Sequence, residues 1–276
     1  MLFNPFQWLI DRIIESLQFL NTGLGPLTDL IKSTPLELTT GNQIVIAAWH
    51  IMTTVADIFL GLFIVVGVIQ IMYGQSVGKL GMPIGQFVGK AILTAILIHL
   101  SAFIGQTLLV LNNLLSQLVP ANVMDFIQRT NNGQLLNNQQ GLLVILFLTL
   151  IFFIGIFRVI FQTVKRIIRF NVLFVLSGPA YLTSFLPGTA PVFSAWVRLF
   201  VVTIFEQFVQ FLTLGLGIQF LIAIQQNGFL GIVLSATMVN LTAEIPKLLE
   251  RFGAAASSQG GLGNLVNTAV KVAFLF

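Results

Sequence analysis

Three ionisable side chains interrupt the long apolar stretches of this sequence, and they are the residues best placed to carry chemistry. Asp57, His99 and Glu206 each fall near the middle of an apolar segment. Ionisable side chains are costly within a membrane, so they usually mark an ion or proton path or a buried polar pair. Two interpretations stand: a polar layer that lines a channel or relays protons, and a structural triad in which His99 satisfies both carboxylates. The structural interpretation is favoured, because no lysine and no second acidic cluster lies near mid-span.

The sequence carries no recognisable catalytic or cofactor-binding motif. It has no cysteine, which excludes disulfides, thiolate metal sites and cysteine nucleophiles. Gly78-Lys79 and Gly89-Lys90 lack the upstream glycine and the following Ser or Thr of a P-loop. Two histidines on different segments do not make a zinc site without carboxylates nearby. We therefore expect no catalytic residue, no cofactor and no metal, and a protein that is not an enzyme.

The composition requires a membrane. Hydrophobic residues make up 56% of the 276 residues and charged residues only 8%, a balance too apolar for one soluble core. The apolar runs reach the roughly 20 residues that a membrane-spanning helix needs. Helices follow, because in lipid each backbone N–H and C=O must be satisfied within its own segment. The predicted fold class is all-α: a polytopic integral membrane helical bundle.

The sequence predicts about five transmembrane helices, and three of them carry Asp57, His99 and Glu206 near their middle. Their predicted ranges are 43–73, 84–119, 141–161, 170–186 and 192–224. The Pro-Gly turn at 187–191 makes the last two an antiparallel hairpin. The next apolar run, 229–239, is too short to span and predicts a re-entrant or interfacial segment, followed by an amphipathic piece at 244–252.

Three regions follow from this pattern. Residues 1–42 form an amphipathic N-terminal helix and a polar connector outside the cytoplasm, because apolar and polar positions of the first twenty residues occupy different faces. Residues 43–252 form the transmembrane domain, and residues 253–276 form a tail of small residues.

Basic residues give the expected orientation. Lys79 and Lys90 follow the first segment. A second group comprises Lys165, Arg166 and Arg169 in a predicted loop after the third segment, with Arg158 just before that loop. Both should face the cytoplasm, which places the N-terminus outside and, with five spans, the C-terminus in the cytoplasm. The second group could also bind anionic lipid, a cytoplasmic ATPase or a nucleic acid. Four basic residues are too few to support direct nucleic-acid binding.

A run of glycines enters the second segment. Gly81, Gly85 and Gly89 have GxxxGxxxG spacing, which lets another helix approach closely. Helix packing within one chain is the favoured interpretation, because such patterns are common in membrane helices. A seam between copies of the chain is the alternative.

The second half of the chain resembles a known family. The stretch from Val172 to Gly217 reads VLFVLSGPAYLTSFLPGTAPVFSAWVRLFVVTIFEQFVQFLTLGLG, an apolar helix, a Pro-Gly turn, a Trp196-x-Arg198 entry and a glutamine-bearing helix. The tail from Ala243 to Gly261, AEIPKLLERFGAAASSQGG, is also similar. Both resemble the TrbL-type polytopic inner-membrane subunit of type IV secretion and conjugation machines.

The resemblance implies a noncatalytic inner-membrane platform or channel subunit of a DNA or protein transfer apparatus. Such a subunit would bind membrane lipids, oligomerise with its own copies, help to assemble a pilus or channel, and work beside other membrane subunits and cytoplasmic ATPases. Two alternatives stay open. One is a small transporter or channel that uses Asp57, His99 and Glu206 at mid-membrane, and the other is a structural subunit of a different membrane complex.

Overall fold

The structure, a computed structural model, describes residues 29–76, 84–119, 142–185, 189–222 and 224–255, and its regular elements in these ranges are all helical. The predicted all-α class is confirmed. The predicted N-terminal helix, Gly81 and most of the predicted tail lie outside the described residues. A 3-10 turn at Leu36–Leu38 precedes these α-helices: α1 (Gln43–Ser76), α2 (Ile84–Gln117), α3 (Leu142–Val175), α4 (Ser177–Phe185), α5 (Ala190–Ile222) and α6 (Ile224–Ala255).

The first two predicted segments match α1 and α2 closely. Asn42 explains where α1 begins, since its Oδ1 accepts the backbone N–H of Ile44 at 2.9 Å and satisfies a donor of the first turn. Three stretches within the described ranges are long and apolar enough to cross a membrane: Gln43–Gly74, Ile84–Gln117 and Pro191–Phe220. They lie in α1, α2 and α5, so three of the five predicted spans have a helical counterpart of this kind. The total of five stays a prediction.

The predicted basic loop after the third segment is wrong. The helix α3 runs without a break from Leu142 to Val175, so Arg158, Lys165, Arg166 and Arg169 are all helical. Lys and Arg are good helix formers, and they end an apolar run without ending a helix. The predicted fourth segment is therefore divided between the last turns of α3 and the nine-residue α4.

The region after the fifth predicted segment is a single helix. The short apolar run and the amphipathic piece are one 32-residue helix, α6, which contains Pro246. A proline inside a helix removes one i→i−4 hydrogen bond but need not end the helix when packing holds it. Whether α6 spans or re-enters the membrane stays open.

The described residues form two compact units. The first contains 29–34, 112–119, 142–165, 205–222 and 224–249, and the second contains 35–76, 84–111, 166–185, 189–204 and 250–255. Long helices contribute separate parts of their length to each unit. Each unit is described by itself below.

In the first unit, α3, α5 and α6 pack around glycines. A Cβ atom added to Gly155 of α3 would collide with Val239 of α6, and one added to Gly217 of α5 would lie 3.1 Å from Met238 Cβ. Glycine at both positions lets the helix backbones approach closely.

In the second unit, α1, α2 and α4 enclose an apolar core. Its buried members are Ala56, Leu60, Ala91, Ile98, Tyr181, Leu182 and Phe185. Gly178 brings α4 against α1, because a Cβ added there would lie 3.3 Å from Met52 O. The short α4 is thereby held to α1 by backbone proximity as well as by side-chain packing.

Candidate functional site

A cluster of neutral amides in the first unit holds the connector that precedes α1. Asn113 Oδ1 accepts the backbone N–H of Thr34 at 2.9 Å, and Asn113 Nδ2 donates to the Thr34 carbonyl at 3.0 Å. One side chain thus satisfies both backbone polar groups of one residue, as a neighbouring β-strand would do. We call Thr34, Asn113 and Gln207 the connector clamp.

Gln207 completes the clamp from α5. Its Nε2 donates to the Lys32 carbonyl at 2.8 Å and to Asn113 Oδ1 at 3.1 Å, and its Oε1 accepts the Thr34 hydroxyl at 2.6 Å. Gln207 is 1% exposed and Thr34 is 4% exposed. Buried hydrogen bonds of this kind fix position, because leaving any of these groups without a partner away from water costs free energy.

A second polar contact joins α3, α5 and α6 in the same unit. Gln210 Nε2 donates to Gln162 Oε1 at 3.1 Å, and Gln162 Nε2 donates to the Ala243 carbonyl at 2.5 Å. Pro246 has no backbone N–H, so the carbonyl of Thr242, four residues earlier, lacks its usual helical donor one residue before Ala243. We call Gln162, Gln210 and the Ala243 carbonyl the glutamine layer.

The glycine contacts and the glutamine layer fix the helix directions in this unit. Along α3, Gly155 comes two turns before Gln162, and along α6 their partners Val239 and Ala243 follow in the same order. Along α5 the order is reversed, since Gln210 meets Gln162 while Gly217 meets Val239. Around this layer α3 and α6 therefore run parallel, and α5 runs antiparallel to both.

Aromatic rings dominate the interior of the second unit. Phe170 stacks on Phe174 at 6.0 Å and on Phe200 at 5.6 Å between ring centroids, and Trp196 stacks on Phe200 at 5.0 Å. Trp196 Nε1 donates to the Leu173 carbonyl at 3.2 Å. We call Phe170, Phe174, Trp196 and Phe200 the aromatic column.

The aromatic contacts also settle the predicted hairpin. Tyr181 contacts Trp196 at 5.5 Å and Phe193 at 5.6 Å, whereas Phe170, earlier in the chain, contacts Phe200, later in the chain. The order is antiparallel, so the hairpin is confirmed, with its first arm made of the end of α3 and of α4.

Asp57 and His99, two members of the predicted polar triad, come together in the second unit. His99 Nε2 lies 3.6 Å from Asp57 Oδ2, and His99 Nδ1 lies 3.0 Å from the Ala95 carbonyl. The 3.6 Å separation is too long for a hydrogen bond, and the contact is an ion pair only when His99 carries a proton on both ring nitrogens. The pair is open to its surroundings, since the His99 side chain is 63% exposed and that of Asp57 is 39% exposed.

The third member, Glu206, belongs to the first unit. It lies on α5 one residue before Gln207 of the connector clamp and is 2% exposed. A triad in which one histidine satisfies both carboxylates stays a prediction. The described residues contain no group of three or more His, Cys, Asp or Glu side chains that could hold a metal ion.

The predicted basic group does not form one continuous charged surface. Arg158 and Lys165 are exposed, whereas Arg166 is buried at 3% exposure. In the second unit, Arg169 of α3 makes an ion pair with Glu250 of α6, with Nη1 and Oε1 2.7 Å apart. Some of these basic side chains are therefore packed within the chain and others are exposed. Their position on the cytoplasmic side stays a prediction.

The glycines that pack are largely not those of the predicted run. Gly85 and Gly89 have open space where a Cβ would lie, while Gly67 and Gly105 receive the rings of Phe87 and Phe174. The favoured interpretation, packing of Gly85 and Gly89 within the chain, is not seen at either residue. The spacing pattern alone could not separate glycines that meet a ring from glycines that meet nothing.

Sequence reasoning missed the connector clamp and the glutamine layer. Asn113, Gln162, Gln207 and Gln210 are neutral and scattered through apolar helices. The available signal was their rarity: an amide in a membrane helix needs a partner on another helix. Which partner it finds depends on helix register, which the sequence does not state.

The long apolar helices, tied together by buried neutral amides and glycine contacts, define a polytopic helical membrane protein. Within that class, the family model described as conjugal transfer protein TrbL matches residues 4–276. The chain belongs to this family of conjugal transfer components, as its sequence resemblance predicted. No curated protein and no solved structure gives a significant match.

Proposed function

We propose that this chain is a noncatalytic inner-membrane platform subunit of a conjugation-like type IV secretion apparatus. In this role it supports assembly of the pilus or transfer channel, contacts other secretion subunits and cytoplasmic ATPases, and forms oligomers with its own copies. The observation that carries the proposal is the family match over residues 4–276, which includes every described helix.

The chemistry of the buried polar residues supports a scaffold. The connector clamp and the glutamine layer consist of amides and a hydroxyl, and their hydrogen bonds join segments of the chain to one another. Amides neither titrate near neutral pH nor act as nucleophiles, so such contacts position helices rather than transform a substrate.

The orientation belongs to the same proposal. We place the N-terminus outside and the C-terminus in the cytoplasm, with Lys79, Lys90 and the basic part of α3 toward the cytosol. The support is the preference of Lys and Arg for the cytoplasmic side of membrane proteins.

A transfer assay tests the proposal. Deleting the gene from a donor cell should abolish DNA transfer, and supplying the intact chain should restore it. Purification in a mild detergent should recover other secretion subunits with the chain. Normal transfer by the deletion donor would contradict the proposal, and solute uptake by liposomes that contain only this chain would favour the transporter alternative.

A further inference from the structure

An acidic and a basic side chain lie side by side on an open face of two candidate membrane spans. Asp57 is near the middle of the span Gln43–Gly74, and His99 is near the middle of the span Ile84–Gln117. Their side chains are 39% and 63% exposed. Ionisable groups at mid-membrane almost always face protein or water, since contact with acyl chains is costly. Something other than lipid therefore covers this pair.

The two helices that carry the pair are little covered by the rest of the chain. Within an apolar 18-residue stretch of each span, 11% of α1 and 22% of α2 is buried inside the chain, against 56% of α5. On α1, Gly61 lies one turn after Asp57, and nothing lies within 4 Å of an added Cβ there. On α2, Ile92 and Gly85 lie two and four turns before His99, on nearly the same side of the helix.

The glycines add room for a neighbour. Within the described ranges, nothing lies within 4 Å of a Cβ added to Gly61, Gly85 or Gly89, whereas one added to Gly67 of α1 would collide with the ring of Phe87. Such glycines let the backbone of a second helix approach closely. The open glycines therefore point to the same face as the Asp57–His99 pair.

We infer that this face is where two copies of the chain meet. We call it the seam and define it by Asp57, Gly61, Gly85, Ile92 and His99. Two copies inserted in the same orientation hold these residues at the same depth. A two-fold axis along the membrane normal therefore brings Asp57 of one copy to His99 of the other.

Charge complementarity singles out a second copy as the occupant. The seam carries one acid and one base, so it is complementary to itself. An acyl chain offers neither charge, and an unrelated helix would need both at matching depth. The inference rests on the proposed oligomeric platform and identifies its contact surface.

Cysteine cross-linking tests the seam directly, because the chain has no cysteine of its own. Ile92→Cys is the test variant, and Ile168→Cys on α3 is the matched control. Both are isoleucines on apolar helices, 57% and 58% exposed. In native membranes, a short bismaleimide should give a cross-linked species of twice the chain mass for Ile92→Cys and none for Ile168→Cys.

A second variant connects the cross-link to the charged pair. Adding Asp57→Asn to Ile92→Cys should cause loss of most of the cross-linked dimer. Adding Val66→Ala, an exposed change nine residues after Asp57 and therefore on the opposite side of α1, should preserve the dimer. Equal dimer yields in both double variants would overturn the role of the pair.

The other outcomes also decide the matter. Equal cross-linking at Ile168→Cys, or no dimer from membrane-inserted Ile92→Cys, would overturn the seam. A cross-link to a chain of different mass would assign the face to another subunit. Labelling of Ile92→Cys by a membrane-impermeant maleimide would show that this face lines a water-filled space instead of a contact between copies. DNA transfer in the same strains separates the two proposals. If transfer requires the chain but no cross-linked dimer forms, only the seam is overturned. If transfer does not require the chain, the proposed function is overturned.

Discussion

Replacing Asn113 by leucine removes the centre of the connector clamp. The substitution deletes the two hydrogen bonds to Thr34 and the one from Gln207, and it leaves the buried Thr34 backbone without these partners. Hydrogen bonds in membrane proteins contribute about 0.6 to 1 kcal/mol each, so three lost bonds correspond to about 2 to 3 kcal/mol. Since each 1.4 kcal/mol is tenfold, the connector should open roughly 30-fold to 150-fold more often.

Two assays measure this effect. Amide hydrogen exchange should show the Thr34 N–H exchanging faster by about the factor above, because exchange follows local opening. Titration with SDS in mixed micelles should show a lower free energy of unfolding. The connector can also open separately, so the exchange measurement is the more direct of the two.

The neighbouring residue supplies a control of the same type. Asn112 is 0% exposed, and neither of its amide atoms has a hydrogen-bond partner within the described residues. Asn112→Leu removes a buried polar group that gains nothing from burial, so stability should stay the same or rise by about 1 kcal/mol. If both variants lost similar stability, or if Thr34 exchange in Asn113→Leu stayed within threefold of wild type, the reasoning would be refuted.

Four further predictions concern packing and hydrogen bonds within each unit. Gly155→Ala should lower the free energy of unfolding by about 1 to 3 kcal/mol, because the new methyl group collides with Val239, and Val239→Ala should recover most of the loss. Gly61→Ala, where the space within the chain is open, should leave the free energy of unfolding of the single chain unchanged or higher in the same SDS titration. Gln162→Leu should destabilise the chain by about 1 to 2 kcal/mol through loss of its two hydrogen bonds, and an unchanged SDS midpoint would contradict this. Trp196→Phe retains the stacking but loses the hydrogen bond to the Leu173 carbonyl, so the free energy of unfolding should fall by about 1 kcal/mol. A loss above about 3 kcal/mol would show that packing of the indole ring contributes more than this hydrogen bond.

The errors in the predicted helix boundaries share one physical cause. A prediction from hydropathy ends a segment where an apolar run meets a group of charged residues. In α3 the charged residues from Arg158 to Arg169 continue the helix instead of ending it. Charge determines which environment a helix can enter, whereas the backbone hydrogen bonds determine where it ends.

The candidate site was only partly predictable for a related reason. Asp57 and His99 stood out because a charge in an apolar run is rare, and the structure places them together. Asn113, Gln162, Gln207 and Gln210 carry no charge, so nothing in the sequence sets them apart from the many other amides of the chain. Their importance arises from partners up to 175 residues away, as between Gln207 and Lys32.

The order and composition of the residues are enough to establish a lipid environment, the helical class and the family. An excess of apolar residues in long runs leaves lipid as the only compatible surroundings, and lipid requires internally hydrogen-bonded helices. The tertiary structure alone decided which amides meet, which glycines receive a neighbouring ring and which charged pair is left open. Those outcomes depend on helix register and rotation, and a shift of one residue turns a side chain by about 100° around the helix axis.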